Sequence, residues 1–180
     1  MTALVSRTGR HQQRYHTGYR LVAGCIPYRY KEVDGCNGKE EPVLEVLMIT
    51  SKSGRGLLFP KGGWETDETV EEAAVREALE EAGVRGDLQG DIGTWEFKSK
   101  RQQSDLNPAG LCRAHMFALE VREQLESWPE QHSRQREWFV VSEAVGQCQV
   151  DWMRKALDKW VSCLKIRQGA TTSNQGQSFI

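Results

Sequence analysis

The segment that most constrains this chain is residues 62–84, which read GGWETDETVEEAAVREALEEAGV. Thr69 and Glu72 have the T-x-x-E spacing of a capping box, which marks the start of a helix. Gly83 stands where a helix of about 13 residues would end, because glycine readily adopts the left-handed conformation found there. The segment therefore predicts a helix between Thr69 and Gly83, preceded by a glycine-containing turn.

This predicted helix separates apolar from acidic side chains. Its apolar positions follow the i, i+3, i+4, i+7 spacing of one helix face and are Val75, Ala78, Leu79 and Ala82. Glu77, Glu80 and Glu81 lie on roughly the opposite side, so three carboxylates converge on one patch. Carboxylates this close repel one another unless a cation neutralises them, and oxygen ligands suit a hard ion. The helix thus predicts a Mg²⁺ or Mn²⁺ site made by these three glutamates with a backbone carbonyl near Gly62.

The residues around the carboxylates favour the same interpretation. Arg76 can hold a carboxylate through two parallel hydrogen bonds, which fixes its orientation. In the preceding turn, residues 60–63 (PKGG), the glycines let the backbone approach a metal and phosphates closely. The alternative is a solvated, glutamate-rich surface, but such a surface requires neither this turn nor an arginine at that position. Glu71 and Glu72 point away from the cluster and are predicted to face solvent.

The whole segment fits the pattern G-x5-E-x7-R-E-U-x-E-E-x-G-U, where U is a bulky apolar residue and Ala78 is the one departure. A random window would match its fixed identities roughly once in 10⁸ tries. The chain therefore resembles a Nudix hydrolase, an enzyme that cleaves a diphosphate linkage with divalent metal. The resemblance implies an α/β fold, specifically the Nudix-type α/β/α sandwich with a mixed sheet. It also implies that Arg76, Glu77 and Glu80 are catalytic.

Phrases outside this segment indicate a substrate class. FPKGGWE, WPEQ and the spacing from SRQREWF to the last helix resemble one Nudix branch, especially its plant members. That branch hydrolyses diphosphoinositol polyphosphates and diadenosine polyphosphates, such as the penta- and hexaphosphate, and the resemblance covers residues 7–164. Besides the backbone of Gly62 and Gly63, it implies phosphate contacts from basic and polar side chains, namely Arg10, Arg20, Ser51, Lys52, Lys61 and Arg134. The alternative for each of these side chains is an exposed surface position.

Further candidates lie on the second half of the chain. Arg113 and His115 are two residues apart and share a face of a predicted strand, so Arg113 is added to the predicted substrate contacts. A role in the core is the alternative for His115. The loop at 98–113 is longer than in the animal members of the branch, so its basic residues have no one-to-one match. Glu96 and Glu137 are candidate bases outside the helix, and the helix glutamates are the others.

Other functions remain open from the sequence. The chain could cleave ADP-ribose, dinucleotide cofactors or an RNA 5′ cap, or it could be a non-catalytic module that binds inositol phosphates. The SQPWPxS-type signature of NADH pyrophosphatases is absent, and a decapping enzyme is expected to carry a further RNA-binding domain. The intact carboxylates argue against a non-catalytic module.

Charge and hydropathy restrict the partners. The formal net charge is −1, so no overall field attracts nucleic acid, and phosphate binding depends on local clusters. No apolar run approaches the length of a membrane span. We therefore expect a small polyphosphate substrate, no nucleic acid polymer and no membrane as partners. The sequence does not determine the oligomeric state.

The compartment has two interpretations. Five cysteines without C-x-x-C spacing indicate a reducing compartment, which favours the cytoplasm or the nucleus. Residues 1–31 contain arginines but no Asp or Glu, a composition that resembles a mitochondrial transit peptide, so mitochondrial import is the alternative. We prefer to interpret the same segment as an N-terminal arm whose arginines reach the substrate.

The remaining patterns predict one hydrolase domain at residues 19–164, flanked by a basic N-terminal arm at 1–18 and a disordered tail at 165–180. Strands are predicted at 19–30, 43–50, 91–98, 111–121 and 136–141, and residues 57–59 lead into the glycine-containing turn. A polar loop is predicted at 31–42. A helix at 150–164 carries Trp152, Ala156, Trp160 and Leu164 on one face, which predicts the tryptophans as core anchors.

Overall fold

A computed structural model describes residues 4–34, 38 and 40–173. Eight strands occur in this part of the chain and are β1 (Tyr15–His16), β2 (Tyr19–Asp34), β3 (Glu40–Thr50), β4 (Leu57–Leu58), β5 (Lys61–Gly63), β6 (Val84–Lys98), β7 (Leu111–Gln124) and β8 (Arg136–Val140). The α-helices described are α1 (Val70–Glu77), α2 (Val141–Gln147) and α3 (Asp151–Ser173). α1 continues directly into a π-helical segment at Ala78–Ala82, and a 3₁₀ turn lies at Lys100–Gln102.

The described strands form one mixed sheet. Its main path is β4-β3-β2-β7-β6, with β1 and β5 also paired to β2 and β8 paired to β3. β2 runs parallel to β7, with Arg20 opposite Cys112 and Tyr28 opposite Glu120. The other described pairs are antiparallel. The mixed sheet implied by the sequence resemblance is therefore confirmed.

The helices cover both faces of this sheet. Because side chains alternate along a strand, Leu47 and Ile49 of β3 face one side and Met48 faces the other. On the first side they pack with the buried alanines of α1 and the π-helical segment, which are Ala73, Ala74, Ala78 and Ala82. On the second side Met48 packs with the buried face of α3, formed by Met153, Ala156, Leu157 and Trp160. The α/β/α sandwich is confirmed, with Ala78 fully buried where the pattern expects a bulkier residue.

The predicted helix between Thr69 and Gly83 is confirmed at both ends. Thr69 Oγ1 accepts a hydrogen bond from the Glu72 N–H at 3.1 Å, and Glu72 Oε1 accepts one from the Thr69 N–H at 3.3 Å, which completes the capping box. Gly83 ends the helix with φ of 64°, in the left-handed region. The last turn is π-helical, a form that is often found at functional sites.

Several strands are longer than the sequence predicts. β6 begins at Val84 and not at Asp91, because pairing with β7 stabilises residues 84–90, in which glycine and charged side chains leave little of the apolar pattern that identifies a strand. β2 and β3 extend into the predicted loop at 31–42, since their antiparallel backbone pairing stabilises strands that have little apolar character. The middle of that loop, residues 35–37 and 39, lies outside the described residues.

The ends of the chain also differ from the predictions. α3 continues through residues 165–173, where the sequence predicts a disordered tail, and this stretch contains no proline to stop the helix. Residues 174–180 lie outside the described part. Tyr15–His16 of the N-terminal arm pairs with β2, so the arm is joined to the sheet. Among the described helices, none is long and apolar enough to cross a membrane.

The prediction that the α3 tryptophans are core anchors can be tested at Trp160. Its side chain is 6% exposed, and its ring centroid lies 4.8 Å from that of Tyr28. We expect Trp160→Ala to lower the free energy of unfolding by about 3–5 kcal/mol, because it leaves a cavity between α3 and the sheet. Urea denaturation followed by circular dichroism measures this change.

Ile166→Ala on the same helix is the matched control. Ile166 is 71% exposed, so its truncation should change the free energy of unfolding by less than about 0.5 kcal/mol. Equal effects of the two substitutions would contradict the core role of Trp160.

Candidate active site

Arg76 connects α1 to the turn that precedes it. Its guanidinium donates two hydrogen bonds to the Glu68 carboxylate, at 2.9 and 2.8 Å. It also donates to the Gly63 carbonyl at 2.8 Å and to Glu77 Oε1 at 2.8 Å. Burial raises the pKa of Glu68, but the Arg76 contact outweighs it and the net shift is downward. The sequence predicts that Arg76 clamps a carboxylate, and the structure identifies Glu68 as its partner.

Glu77, Glu80 and Glu81 converge as the sequence predicts. Each is 7% exposed, and all three line one cavity of about 330 Å³. Burial raises the pKa of Glu77, and repulsion from Glu81 raises it further. The pKa of Glu80 and that of Glu81 are also raised, again mainly by burial. The fold therefore holds three carboxylates where their negative charge is unfavourable.

A second arginine holds the far end of this cluster. Arg134 is buried, and its Nη2 donates to Glu81 Oε1 at 2.5 Å while its Nε donates to Glu130 Oε2 at 2.6 Å. Glu130 also pairs with Lys52 at 2.8 Å. The Glu130 N–H donates to the Glu80 carbonyl at 3.0 Å, so the connection between β7 and β8 is bonded to the π-helical segment itself.

Gly62 makes room for the carboxylate of Glu77. A Cβ atom built on Gly62 would clash with both carboxylate oxygens of Glu77. One on Gly63 would lie 2.7 Å from the Arg20 guanidinium. Both glycines of the predicted turn are therefore required by close approach to functional side chains, and not by an unusual backbone angle.

Two cations that line the cavity are partly buried and have no carboxylate partner in the described structure. Across the described residues, neither the Arg20 nor the Lys61 side chain forms an ion pair, although both line the cavity. Arg20 Nε is buried and has no hydrogen-bond partner in this part of the chain. Burial lowers the pKa of Arg20 and that of Lys61. Cations that are desolvated and unpaired provide a binding site for an anionic ligand.

Most of the site residues predicted from the sequence line this cavity. Those that line it are Arg20, Ser51, Lys52, Lys61, Gly62, Gly63, Arg76, Glu77, Glu80, Glu81 and Arg134. Arg10 does not line it, but its guanidinium donates at 3.2 Å to the carbonyl of Arg101, which does. The structure does not bring Arg113 to the cavity, because its guanidinium pairs with Glu96 at 2.9 Å and stacks on Tyr19.

Three other candidates also lie elsewhere. His115 pairs with Asp91 and stacks on Phe117, away from the cavity. Glu96 is held by Arg113 and by the Tyr19 hydroxyl, which donates to it at 3.0 Å. Glu137 lies on β8 opposite Met48 and does not line the cavity. Neither of these two candidate bases is thus positioned beside the helix carboxylates.

Sequence reasoning missed several lining residues, which come from the N-terminal arm and from loops, namely Arg7, Gly9, Gln13, Glu65, Ser99, Arg101, Gln102 and Glu130. Glu130 had a usable signal, because it lies in the quoted phrase WPEQ and four residues before Arg134. Arg7 had none beyond its basic character, since its position depends on contacts with residues 58 or more places away.

The chemistry of the helix carboxylates fits a hard divalent cation. Buried carboxylates with raised pKa values gain most from a positive ion, and oxygen donors are the ligands that Mg²⁺ and Mn²⁺ prefer. Within the described residues, no group of three or more carboxylate, thiol or imidazole side chains is arranged so that it could hold a metal ion. Arg76 and Arg134 instead hold the Glu77 and Glu81 carboxylates.

Comparison with known proteins finds similar sequences and a similar fold. The sequence profile of the NUDIX domain matches residues 34–161. Nudix hydrolase 16, mitochondrial, of Arabidopsis thaliana is 58% identical over 159 residues, which cover 87% of this chain and 88% of that protein. Diphosphoinositol polyphosphate phosphohydrolase 3-alpha of Mus musculus is 32% identical over 162 residues, with 87% and 85% covered. A solved NUDIX hydrolase from Nitrosomonas europaea has a TM-score of 0.59 at 15% identity, over 80% of this chain and 89% of that one, and shows the fold alone.

The close approach at Gly62 gives a prediction about metal binding. Gly62→Ala displaces the Glu77 carboxylate, so we expect Mg²⁺ binding measured by calorimetry to weaken about 10–100-fold, as for other changes that misplace a ligand. Gly146→Ala on α2 is the control, because a Cβ there meets nothing within 4 Å. Equal Mg²⁺ affinity of the two folded variants would show that Gly62 is not needed to position Glu77.

Proposed function

This chain belongs to the Nudix hydrolase family, as a plant-type member related to the diphosphoinositol polyphosphate phosphohydrolases, and we propose that it hydrolyses diphosphate linkages in highly phosphorylated small molecules. The proposed substrates are diphosphoinositol polyphosphates and diadenosine polyphosphates such as the penta- and hexaphosphate. The mouse relative is named for the first of these classes, which supports its inclusion.

The observation that carries this proposal is the division of charge within one cavity. The helix carboxylates occupy one part, while Arg20 and Lys61 line it without a carboxylate partner in the described structure. A substrate with several phosphates supplies the negative charges that these cations lack. It also brings repulsion of its own that cations must offset. The arrangement therefore favours a polyphosphate over a ligand with a single charge.

The proposed metal ligands are the helix carboxylates of the cavity. When bound, Mg²⁺ or Mn²⁺ held by Glu77, Glu80, Glu81 and the Gly62 carbonyl would offset the charge of the phosphate oxygens and activate the attacking water. Arg76 keeps the Glu77 carboxylate in place through the contact at 2.8 Å. Lys61 and Arg20 bind the phosphate that departs when the bridging P–O bond breaks and stabilise its developing charge.

Glu130 is the proposed proton acceptor for the attacking water. It lines the cavity, whereas Glu96 and Glu137 do not. Burial raises the pKa of Glu130, but hydrogen bonds from Lys52 and Arg134 outweigh this and the net shift is downward. Lys52 and Arg134 thus favour the ionised form of Glu130, which is the form that can accept a proton. Its contact with the buried Arg134 fixes its position.

The location in the cell has support from one relative. The Arabidopsis protein at 58% identity is named as mitochondrial, which supports mitochondrial import of this chain over residence in the cytoplasm or nucleus. Following a fluorescent fusion of the full chain in plant cells tests this proposal.

The substrate proposal is tested by phosphate-product analysis with Mg²⁺ or Mn²⁺. Diphosphoinositol pentakisphosphate, diadenosine penta- and hexaphosphate, ADP-ribose and NADH are offered in parallel, and we expect the first three to be preferred. Glu77→Gln should lose at least about 100-fold in kcat, since a ligand of the activating ion is neutralised. Glu71→Gln, an exposed change on the same helix, should behave as wild type.

Two other results would reject the substrate proposal in different ways. Preference for ADP-ribose or NADH would identify a dinucleotide pyrophosphatase and show that Arg20 and Lys61 do not select polyphosphates. Tight inositol phosphate binding without turnover of any compound would identify a non-catalytic binding module.

The role of Glu130 gives a separate prediction. Glu130→Gln should lower kcat by about 10²–10⁴-fold, the usual contribution of a general base, with a smaller change in KM. Glu126→Gln in the same connection is the control, because Glu126 is exposed and does not line the cavity. If Glu130→Gln stays within threefold of wild type in kcat, another group accepts the proton.

A further inference from the structure

The N-terminal arm reaches the catalytic carboxylates through one backbone group. The Arg7 N–H donates a hydrogen bond to Glu80 Oε1 at 3.1 Å, across 73 residues of sequence. The Arg7 side chain points the other way, to the loop before α1, where it pairs with Glu65 and with Asp67 at 2.9 Å. Arg7 therefore joins that loop to the π-helical segment, and it does so from the wall of the cavity.

The Glu80 carboxylate has fewer short hydrogen bonds to hold it than the Glu81 carboxylate, and its contact with Arg76 is longer than that of Glu77. Glu77 is held by Arg76 at 2.8 Å, and Glu81 is held by Arg134 at 2.5 Å and by the Lys61 N–H at 3.0 Å. The guanidinium contact of Glu80, from Arg76 to Oε2, is 3.4 Å long and therefore weak. In the described structure the Glu80 carboxylate accepts two hydrogen bonds, and the one from the Arg7 N–H is the shorter.

Backbone hydrogen bonds hold the arm in addition to the Arg7 side chain. Arg7 pairs with Glu65, and its pair with Asp67 joins side chains that are 39% and 45% exposed, a kind of pair that contributes about 0–1 kcal/mol. Backbone bonds hold the next residues more firmly, from the Thr66 N–H to the Gln12 carbonyl at 2.8 Å and from the Arg14 N–H to the Trp64 carbonyl at 3.0 Å. The backbone N–H of Arg7 can therefore be tested separately from its guanidinium.

We infer that Arg7 is a positioning residue, whose main-chain N–H fixes the Glu80 carboxylate for divalent metal binding and makes the N-terminal arm part of the active site. This inference rests on the proposed function, because it takes Glu80 as a metal ligand. A carboxylate held by a neutral N–H keeps its charge and a free lone pair on each oxygen, so the contact orients Glu80 without competing as a cation would.

Two substitutions at the same position separate the two groups of Arg7. Arg7→Ala removes the guanidinium and keeps the N–H, whereas Arg7→Pro removes both, because proline has no backbone N–H. Residue 7 does not have the positive φ that proline cannot adopt. A third variant, a chain that lacks residues 1–8, removes the Arg7 N–H and the Arg7 side chain together.

The measurement is Mn²⁺ binding followed by electron paramagnetic resonance, which needs no substrate. We expect Arg7→Pro and the shortened chain to bind Mn²⁺ about 10–100-fold more weakly than wild type, the usual cost of losing a contact that orients a metal ligand. Arg7→Ala should stay within threefold of wild type. Thermal unfolding in the absence of metal should give the same Tm for all four proteins within a few degrees.

The remaining outcomes overturn the inference. Equal Mn²⁺ affinity of Arg7→Pro and Arg7→Ala would show that the N–H does not position Glu80. Tighter binding by Arg7→Pro would show that the arm obstructs the metal. If wild type bound no Mn²⁺, the metal assignment of the proposed function would fail as well, so failure of that function is distinguishable from failure of the Arg7 role alone.

Discussion

The contacts of Arg76 are the ones on which the rest of the site depends. One guanidinium holds the Glu68 and Glu77 carboxylates and the Gly63 carbonyl, and so fixes the glycine turn against α1. Without it, the Glu68 and Glu77 carboxylates would be buried with no cationic partner in the described structure, and removing one partner from a buried ion pair costs about 3–5 kcal/mol. Arg76 therefore contributes to stability and positions a proposed metal ligand through the same hydrogen bonds, and a substitution there cannot separate the two.

The helix and its carboxylates could be predicted because their signals are local. The capping box, the glycine at the helix end and the spacing of Glu77, Glu80 and Glu81 all lie within one segment, so short-range rules determine them. The strand ends were less predictable, because the first half of β6 and the β2–β3 hairpin have little apolar character and are stabilised by backbone pairing. In these segments the neighbouring strand, and not the apolar pattern of the sequence, determines where each strand ends.

The parts of the site that sequence could not supply come from distant segments. Nothing in the order of residues indicates that the Arg7 N–H meets Glu80, or that Glu130 bonds to the π-helical segment, since both contacts exist only after the chain has folded. Arg113 shows the converse. Its spacing with His115 was interpreted correctly as a shared strand face, but that face pairs with Glu96 and Asp91 outside the cavity. Periodicity identifies a face and not what the face contacts.

The pairing of charges explains why the cavity can hold carboxylates and still attract phosphates. If Arg20 or Lys61 paired with Glu77 or Glu81, those cations would be occupied by the protein and would have less affinity for an anion. Arg76 and Arg134 prevent this by occupying the carboxylates from the protein side, with contacts of 2.8 and 2.5 Å. Arg20 and Lys61 remain unpaired within the described residues, at the cost of burial that lowers their pKa values. A bound polyphosphate would supply negative charge to the unpaired cations, and a bound metal ion would reduce the repulsion among the carboxylates. Substrate and metal should therefore each strengthen the binding of the other.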